Sequence, residues 1–174
     1  MTALYIITRV LTFPGALVRG FWEHLICRIW KIPVEDNRIL RSDELSGHIE
    51  HELFATAGGA FSIAFVPALL NGILALLLLI GSCLSLFFFQ MGDLKVMIVS
   101  LIAYWFAFSL YVNSYPSIED ALNMKEKIYK QGNLFQKILF TPGFCGCFIG
   151  AYLERYCLTF LLAAAGCAAM IIVG

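Results

Sequence analysis

The apolar positions of this chain come in long runs. Residues 53–92 carry no charged side chain. At 1.5 Å rise per residue they would make about 60 Å of helix, twice the roughly 30 Å hydrocarbon core of a bilayer. The run must therefore be divided, and Gly58-Gly59 and Pro67 are the breakers within it. This predicts a shorter helix or re-entrant piece over 53–66 and a membrane span over 68–90. A second uncharged run, 96–116, predicts another span after the short turn 90–95. Its outer aromatic residues among Tyr104, Trp105, Tyr111 and Tyr115 suit an interfacial belt. The last apolar stretch, 138–174, is divided by Glu154-Arg155, leaving 156–173 as a third span and 138–153 as a segment broken at Pro142-Gly143.

The N-terminal 32 residues follow a different pattern. On a helical wheel Arg9, Arg19, Glu23, His24, Arg28 and Lys31 fall within about half the circumference, with apolar residues elsewhere. Such a helix is amphipathic, kinked at Pro14-Gly15, and either lies flat at the interface or turns its charged stripe into the bundle. Between the long runs lie two polar loops, 31–52 and 113–137. Two spans separate them, which puts both on one side. Lys31, Arg38, Arg41, Lys125, Lys127, Lys130 and Lys137 are in these loops and only Lys95 is in the opposite turn, so the excess of positive charge makes this side cytoplasmic. Within the second loop Pro116 ends the preceding helix, Ser117 is a good N-cap and Asp120 stands three residues on, predicting an amphipathic interfacial helix over 118–131.

Composition agrees. Hydrophobic residues make up 60% of the 174 and charged residues 14%, with mean hydropathy +0.83, whereas soluble domains carry about 25% charged residues. The expected fold is all-α: a single membrane domain, 1–174, built as a polytopic helix bundle of roughly three to five membrane segments. No basic n-region opens the chain and Arg9 interrupts its first apolar stretch, so no cleavable signal is expected. Twelve basic and twelve acidic residues cancel, which argues against nucleic acid as a partner. The six cysteines lie mostly in apolar runs and are expected to be reduced; Cys145-Gly146-Cys147 lacks the two-residue spacer of redox and zinc motifs.

Candidate chemistry is concentrated where the histidines are. All three occur in Glu23-His24 and in Gly47-His48-Ile49-Glu50-His51-Glu52. If 47–52 starts a helix, His48, His51 and Glu52 share one face at i, i+3 and i+4 and can supply three zinc ligands, with Glu23 or His24 as a fourth ligand or as the proton acceptor. The plainer reading is a polar helix start at the membrane surface. Glu154-Arg155 reads as a self-neutralising pair at a membrane boundary, or, if buried, as a contact for the N-terminal charged stripe.

Phe13-Pro14-Gly15, Cys27, Val34, Gly47-His48-Ile49-Glu50-His51, Pro67 with Asn71, and Tyr115-Pro116-Ser117-Ile118-Glu119-Asp120-Ala121 form an ordered series. In this the chain resembles a group of small prokaryotic membrane metalloproteases of the zincin or site-2-protease-like kind. The resemblance covers about residues 13–121 and implies zinc held by a His-Glu-x-x-His helix. At that place this chain reads Arg19-Gly20-Phe21-Trp22-Glu23, without either histidine or the glutamate that would activate water. His24 comes one residue late, about 100° around the helix. Arg19 and Glu23, at i and i+4, are instead spaced for a salt bridge.

Three functions follow as expectations. The first is a non-catalytic multi-pass protein of a prokaryotic plasma membrane, a scaffold or subunit of a membrane assembly resembling an inactive metalloprotease. The second is a zinc-dependent intramembrane hydrolase using His48, His51, Glu52 and Glu23. The third is a small transporter or channel component, suggested by the helix breakers at Gly58-Gly59 and Pro67 beside Asn71. Lipid is the expected partner, with other membrane subunits in the first case.

Overall fold

The computed structural model describes residues 2–38, 47–88 and 93–173. The chain is an all-α bundle of seven described helices: α1 (Thr2–Leu11), α2 (Phe13–Trp30), α3 (Ala57–Cys83), α4 (Leu94–Val112), α5 (Ile118–Glu126), α6 (Leu134–Arg155) and α7 (Leu158–Val173). Short π-helical turns extend α3 over Leu84–Phe88 and α5 over Lys127–Gln131. Strand β1 (Val34–Asp36) pairs antiparallel with β2 (Glu50–His51). Arg41, one of the basic residues used to orient the chain, lies outside the described residues.

Three helices are long and apolar enough to cross a membrane: Ala57–Leu86, Leu94–Val112 and Leu134–Arg155. Only 28%, 28% and 22% of their apolar windows are buried inside the bundle, so most of that surface faces outward, as lipid contact requires. The α3–α4 hairpin is the centre of the bundle. Helix α2 packs against both its members, α5 and α6 lie on α3, and α7 lies on α4 and α6.

The helix starts follow local chemistry. The Thr56 hydroxyl accepts from Gly59 N (3.2 Å), the Asp93 carboxylate from Lys95 N (2.9 Å), and the Ser117 hydroxyl from Asp120 N (3.1 Å). Ser117 thus caps α5 where its sequence predicts. Asn133 and Gln136 form a reciprocal capping box at α6.

Two expected breaks are absent. Pro67 lies inside α3 and Pro142 inside α6, so 53–66 and 68–90 are not separate pieces, and 134–155 is one continuous helix long and apolar enough to cross. In lipid every interrupted backbone group is costly, and a proline that removes a single hydrogen bond is tolerated within a packed transmembrane helix. The true breaks lie elsewhere. Cys157, at φ 58°, turns the chain between α6 and α7, and α7, with 16 residues, is shorter than the roughly 17–25 of a typical span. The N-terminal helix breaks at Thr12, not at Pro14-Gly15, with an 88° bend between α1 and α2. Pro14 opens α2, where its missing N–H costs nothing.

Helices α2 and α4 approach closely through Gly15. Its N–H donates to Ser109 Oγ (2.7 Å), which donates to Thr12 O (2.6 Å). A methyl group at Gly15 would stand 2.1 Å from the Ser109 carbonyl oxygen, a backbone atom that cannot rotate away. Gly15→Ala is therefore expected to lower stability by about 1–3 kcal/mol. Gly72→Ala, where nothing lies within 4 Å, should leave it unchanged or raise it slightly; paired thermal melts in detergent check the contrast.

Candidate functional site

A bundle with so much outward apolar surface keeps its charge inside. Arg9 (1% exposed), Arg19 (0%), Glu23 (0%), His48 (2%) and Glu154 (4%) are all buried, while Leu4, Ile7, Val10, Leu17, Phe21 and Leu25 of the same N-terminal helices are exposed. Of the two placements open to the amphipathic segment, the charged stripe turns into the bundle. Not all of it does: His24, Arg28 and Lys31 remain exposed.

Two linked ion-pair groups make up the site. In the first, Arg19 Nε donates to Glu23 Oε1 (2.7 Å), one turn on along α2, and approaches His48 Nδ1 (3.2 Å). An Arg19 Nη1 hydrogen bond goes to the Ser114 carbonyl. Glu23 Oε1 is also 2.8 Å from His48 Nδ1, and its Oε2 accepts from Ile49 N (3.0 Å). In the second group Arg9 pairs with Glu154 and with the Asn113 side-chain oxygen, and donates to Tyr5 Oη (3.0 Å). Glu154 Oε2 accepts from Tyr115 N (3.1 Å). His48 joins the groups, because its Nε2 lies 3.3 Å from Glu154 Oε1.

Local sequence explains why these side chains meet. The i, i+4 spacing puts Arg19 and Glu23 on one face of α2. Gly47 adopts φ +96° with the Arg9 side chain about 3.1 Å from where a Cβ would be, so only glycine both makes the turn and leaves room for the arginine. That turn aims His48 inward. Asn71, near the midpoint of α3, donates to Asn113 O (3.0 Å), and Asn113 Nδ2 bonds Thr12 O, Thr12 Oγ1 and Ser109 O at 3.0, 2.9 and 2.8 Å. The polar site therefore lies beside the middle of α3 but at the C-terminal ends of α4, capped by Asn113, and of α6, where Glu154 is the penultimate residue. Among the described residues, Arg9 Nε, Arg19 Nη2 and Asn71 Oδ1 are buried polar atoms without a hydrogen-bond partner.

The helix expected over 47–52 is replaced by the Gly47 turn and strand β2. Successive strand residues point to opposite faces, so the common face of His48, His51 and Glu52 is lost. His48 enters the core, His51 faces Asp120 (Nε2 to Oδ1, 3.4 Å), and Glu52 is exposed, as is His24. Among the described residues no three of His, Cys, Asp and Glu are grouped to hold a metal ion. The donor set at Arg19, Glu23 and His48 does not fit zinc either, since a guanidinium has no lone pair to give and carries a repelling charge. Glu23, the candidate base, is held in ion pairs. Glu154 turns inward to Arg9 and His48 while Arg155 is exposed, so the two do not form a boundary pair of their own. Outside this core, an acidic cleft of about 450 Å³ opens between the 50–53 segment and the start of α5, lined by Glu35, Glu50, His51, Glu52, Glu119 and Asp120.

The sequence marked Asn71 beside Pro67 but not its contact with Asn113, although an asparagine deep in an uncharged run is itself the signal. None of Cys27, Cys145, Cys147 and Cys157 forms a disulfide.

Breaking a buried pair leaves an uncompensated charge, at a cost of about 3–5 kcal/mol. Glu154→Gln is expected to cost that much in denaturation midpoint measurements. Lys130→Ala, which removes the exposed i, i+4 pair with Glu126 (3.1 Å, side chains 74% and 53% exposed), should cost no more than about 0.5 kcal/mol.

His48 gives a pH dependence. Burial opposes its charge, but the Glu23 charge and hydrogen bonds to Glu154 and Glu23 outweigh burial and the opposing Arg19 charge, raising its pKa above the ordinary value of 6.5. A raised folded-state pKa stabilises fully below about pH 6.5 and the contribution is lost as pH rises through the folded value. Melts across pH 5–10 should show stability falling in that window by at most about 1.4 kcal/mol per pH unit, and His48→Gln should remove the slope.

No family model, curated protein or solved structure matches this chain.

Proposed function

We propose that this protein is a non-catalytic multi-pass membrane protein, a subunit or scaffold of a membrane assembly in which a metalloprotease-like centre has been replaced by ion pairs. The observation that carries the reading is the placement of Arg19. Its guanidinium stands against Glu23 Oε1, His48 Nδ1 and the Ser114 carbonyl, where a hydrolase of the resembled kind would need metal ligands. Within the series behind the resemblance, Asn71 Nδ2 reaches the Gly15 carbonyl (3.5 Å).

Peptide hydrolysis at a zinc centre needs an open coordination position for water and a base to deprotonate it. Here the site is filled by an arginine side chain, and Glu23 is committed to Arg19, His48 and the Ile49 N–H. The transporter reading drew on broken helices around Pro67, and α3 is continuous there. A bundle whose centre is closed by its own ion pairs suits a structural subunit better than either. Its place is a prokaryotic plasma membrane with loops 31–52 and 113–137 cytoplasmic, supported by their basic residues.

Protein purified in mild detergent should carry no stoichiometric zinc by elemental analysis, and should migrate from native membranes in a discrete complex larger than the monomer. One equivalent of zinc, lost in His48→Ala, would replace this reading with the hydrolase. A monomer alone in native membranes would remove the subunit role.

A further inference from the structure

We propose that the Glu23 carboxylate and the Ser114 carbonyl, with His48 positioning Glu23, form a cation site whose resident cation is the protein's own Arg19 guanidinium, so that the site is one for a planar, hydrogen-bonding cation of the guanidinium class. The inference rests on the non-catalytic reading in treating the centre as structural, and its test is separate from that reading's.

Three groups from three parts of the chain converge here. Glu23 Oε1 comes from α2 and the Ser114 oxygen from the segment after α4, and both accept from Arg19, while His48 Nδ1, from the turn before β2, donates to Glu23 Oε1 (2.8 Å). Each has a second hold besides Arg19. The Glu23 carboxylate is independently held by Ile49 N (3.0 Å), His48 is held from its far side by Glu154 (3.3 Å), and Ser114 is fixed by its hydroxyl bond to Leu110 O (2.8 Å). The acceptors are thus preorganised around a point, and a preorganised set of anionic and carbonyl acceptors in a low-dielectric interior binds a cation strongly. Arg19 delivers that cation on a tether. The fork geometry is used, with Nε and Nη1 on different acceptors, so a point charge such as a lysine ammonium would satisfy only part of the site. One arm of the fork, Nη2, is buried without a partner among the described residues, as expected where a side chain from one fixed helical position serves acceptors placed by other elements.

Tethering has a consequence for assembly. A centre completed by a dissociable cation depends on its supply, whereas this one joins α2, the 47–49 segment and the end of α4 as soon as the chain folds.

The test is chemical rescue in the full chain. Arg19→Ala deletes the tethered cation and leaves both acceptors, and its Tm should fall by roughly 10 °C. About 5 mM guanidinium chloride, far below denaturing concentrations, should restore about half of that loss by binding the folded state, while equal sodium chloride does not. The restoration should be absent in Arg19→Ala combined with Glu23→Gln, and absent in the wild type. If Arg19→Ala does not fold unaided, the folded fraction recovered from membranes solubilised with and without 5 mM guanidinium is compared in its place. Equal melting temperatures, or equal recovery including none in both, would overturn the proposal. Stoichiometric zinc in the wild type would overturn the non-catalytic reading and leaves the rescue result to be judged by itself.

Discussion

Everything in this bundle depends on pairing charge where water is absent. An arginine or glutamate at membrane depth is tolerated only when it faces the interior and finds a partner. Arg9, Arg19, Glu23 and Glu154 do so in two pairs, with His48 between them. Arg19–Glu23 is local, one turn along α2, whereas Arg9 meets Glu154 across nearly the whole chain and Glu23 meets His48 across the polar loop. The two long-range contacts therefore select a tertiary arrangement. A bundle with another helix order would strand two charges in hydrocarbon, at several kilocalories per mole each.

The backbone accommodates that demand in specific places. Helices α1 and α2 are amphipathic in the reverse sense of a soluble protein, apolar outward and charged inward. A straight helix would carry Arg9 and Arg19 about 15 Å apart along its axis. The 88° bend at Thr12 lets one reach Glu154 while the other stays with Glu23. Bending exposes the Thr12 carbonyl, and Ser109 Oγ and Asn113 Nδ2 both donate to it. Gly15 then allows α4 close enough for those donors to reach. Bend, glycine and asparagine are thus parts of one solution.

The sequence made the lipid-facing parts legible and the interior only partly so. Long uncharged runs located α3 and α4, and Ser117 with Asp120 located α5, because hydropathy and capping are local properties. Pro67 and Pro142 misled because their local penalty is overridden inside packed membrane helices. The 47–52 segment misled for a different reason. Its His-x-x-His-Glu spacing suits a helix, but Gly47 in a left-handed turn and pairing with Val34–Asp36 impose a strand, and no local rule weighs those distant partners. The Arg19–Glu23 bridge could be read from i, i+4 spacing, whereas Arg9–Glu154 could not, since its partners are 145 residues apart.

The contrast between the interior and one end of the bundle bears on where interaction with other molecules takes place. Inside, Arg9, Arg19 and His48 are held against Glu23 and Glu154 and closed off from solvent, so the centre has little capacity to exchange partners. At the hairpin and the start of α5 the balance is different: Glu35, Glu50, Glu52, Glu119 and Asp120 line one cleft with a single histidine among them. Lys125 and Lys130 are exposed and are not among the residues lining that cleft. A closed, ion-paired core beneath a surface of separated charge divides the molecule into a buried part and an exposed, charged part. On the non-catalytic reading that division is the functional design, because a scaffold whose core needs neither metal nor substrate presents the same surface at all times.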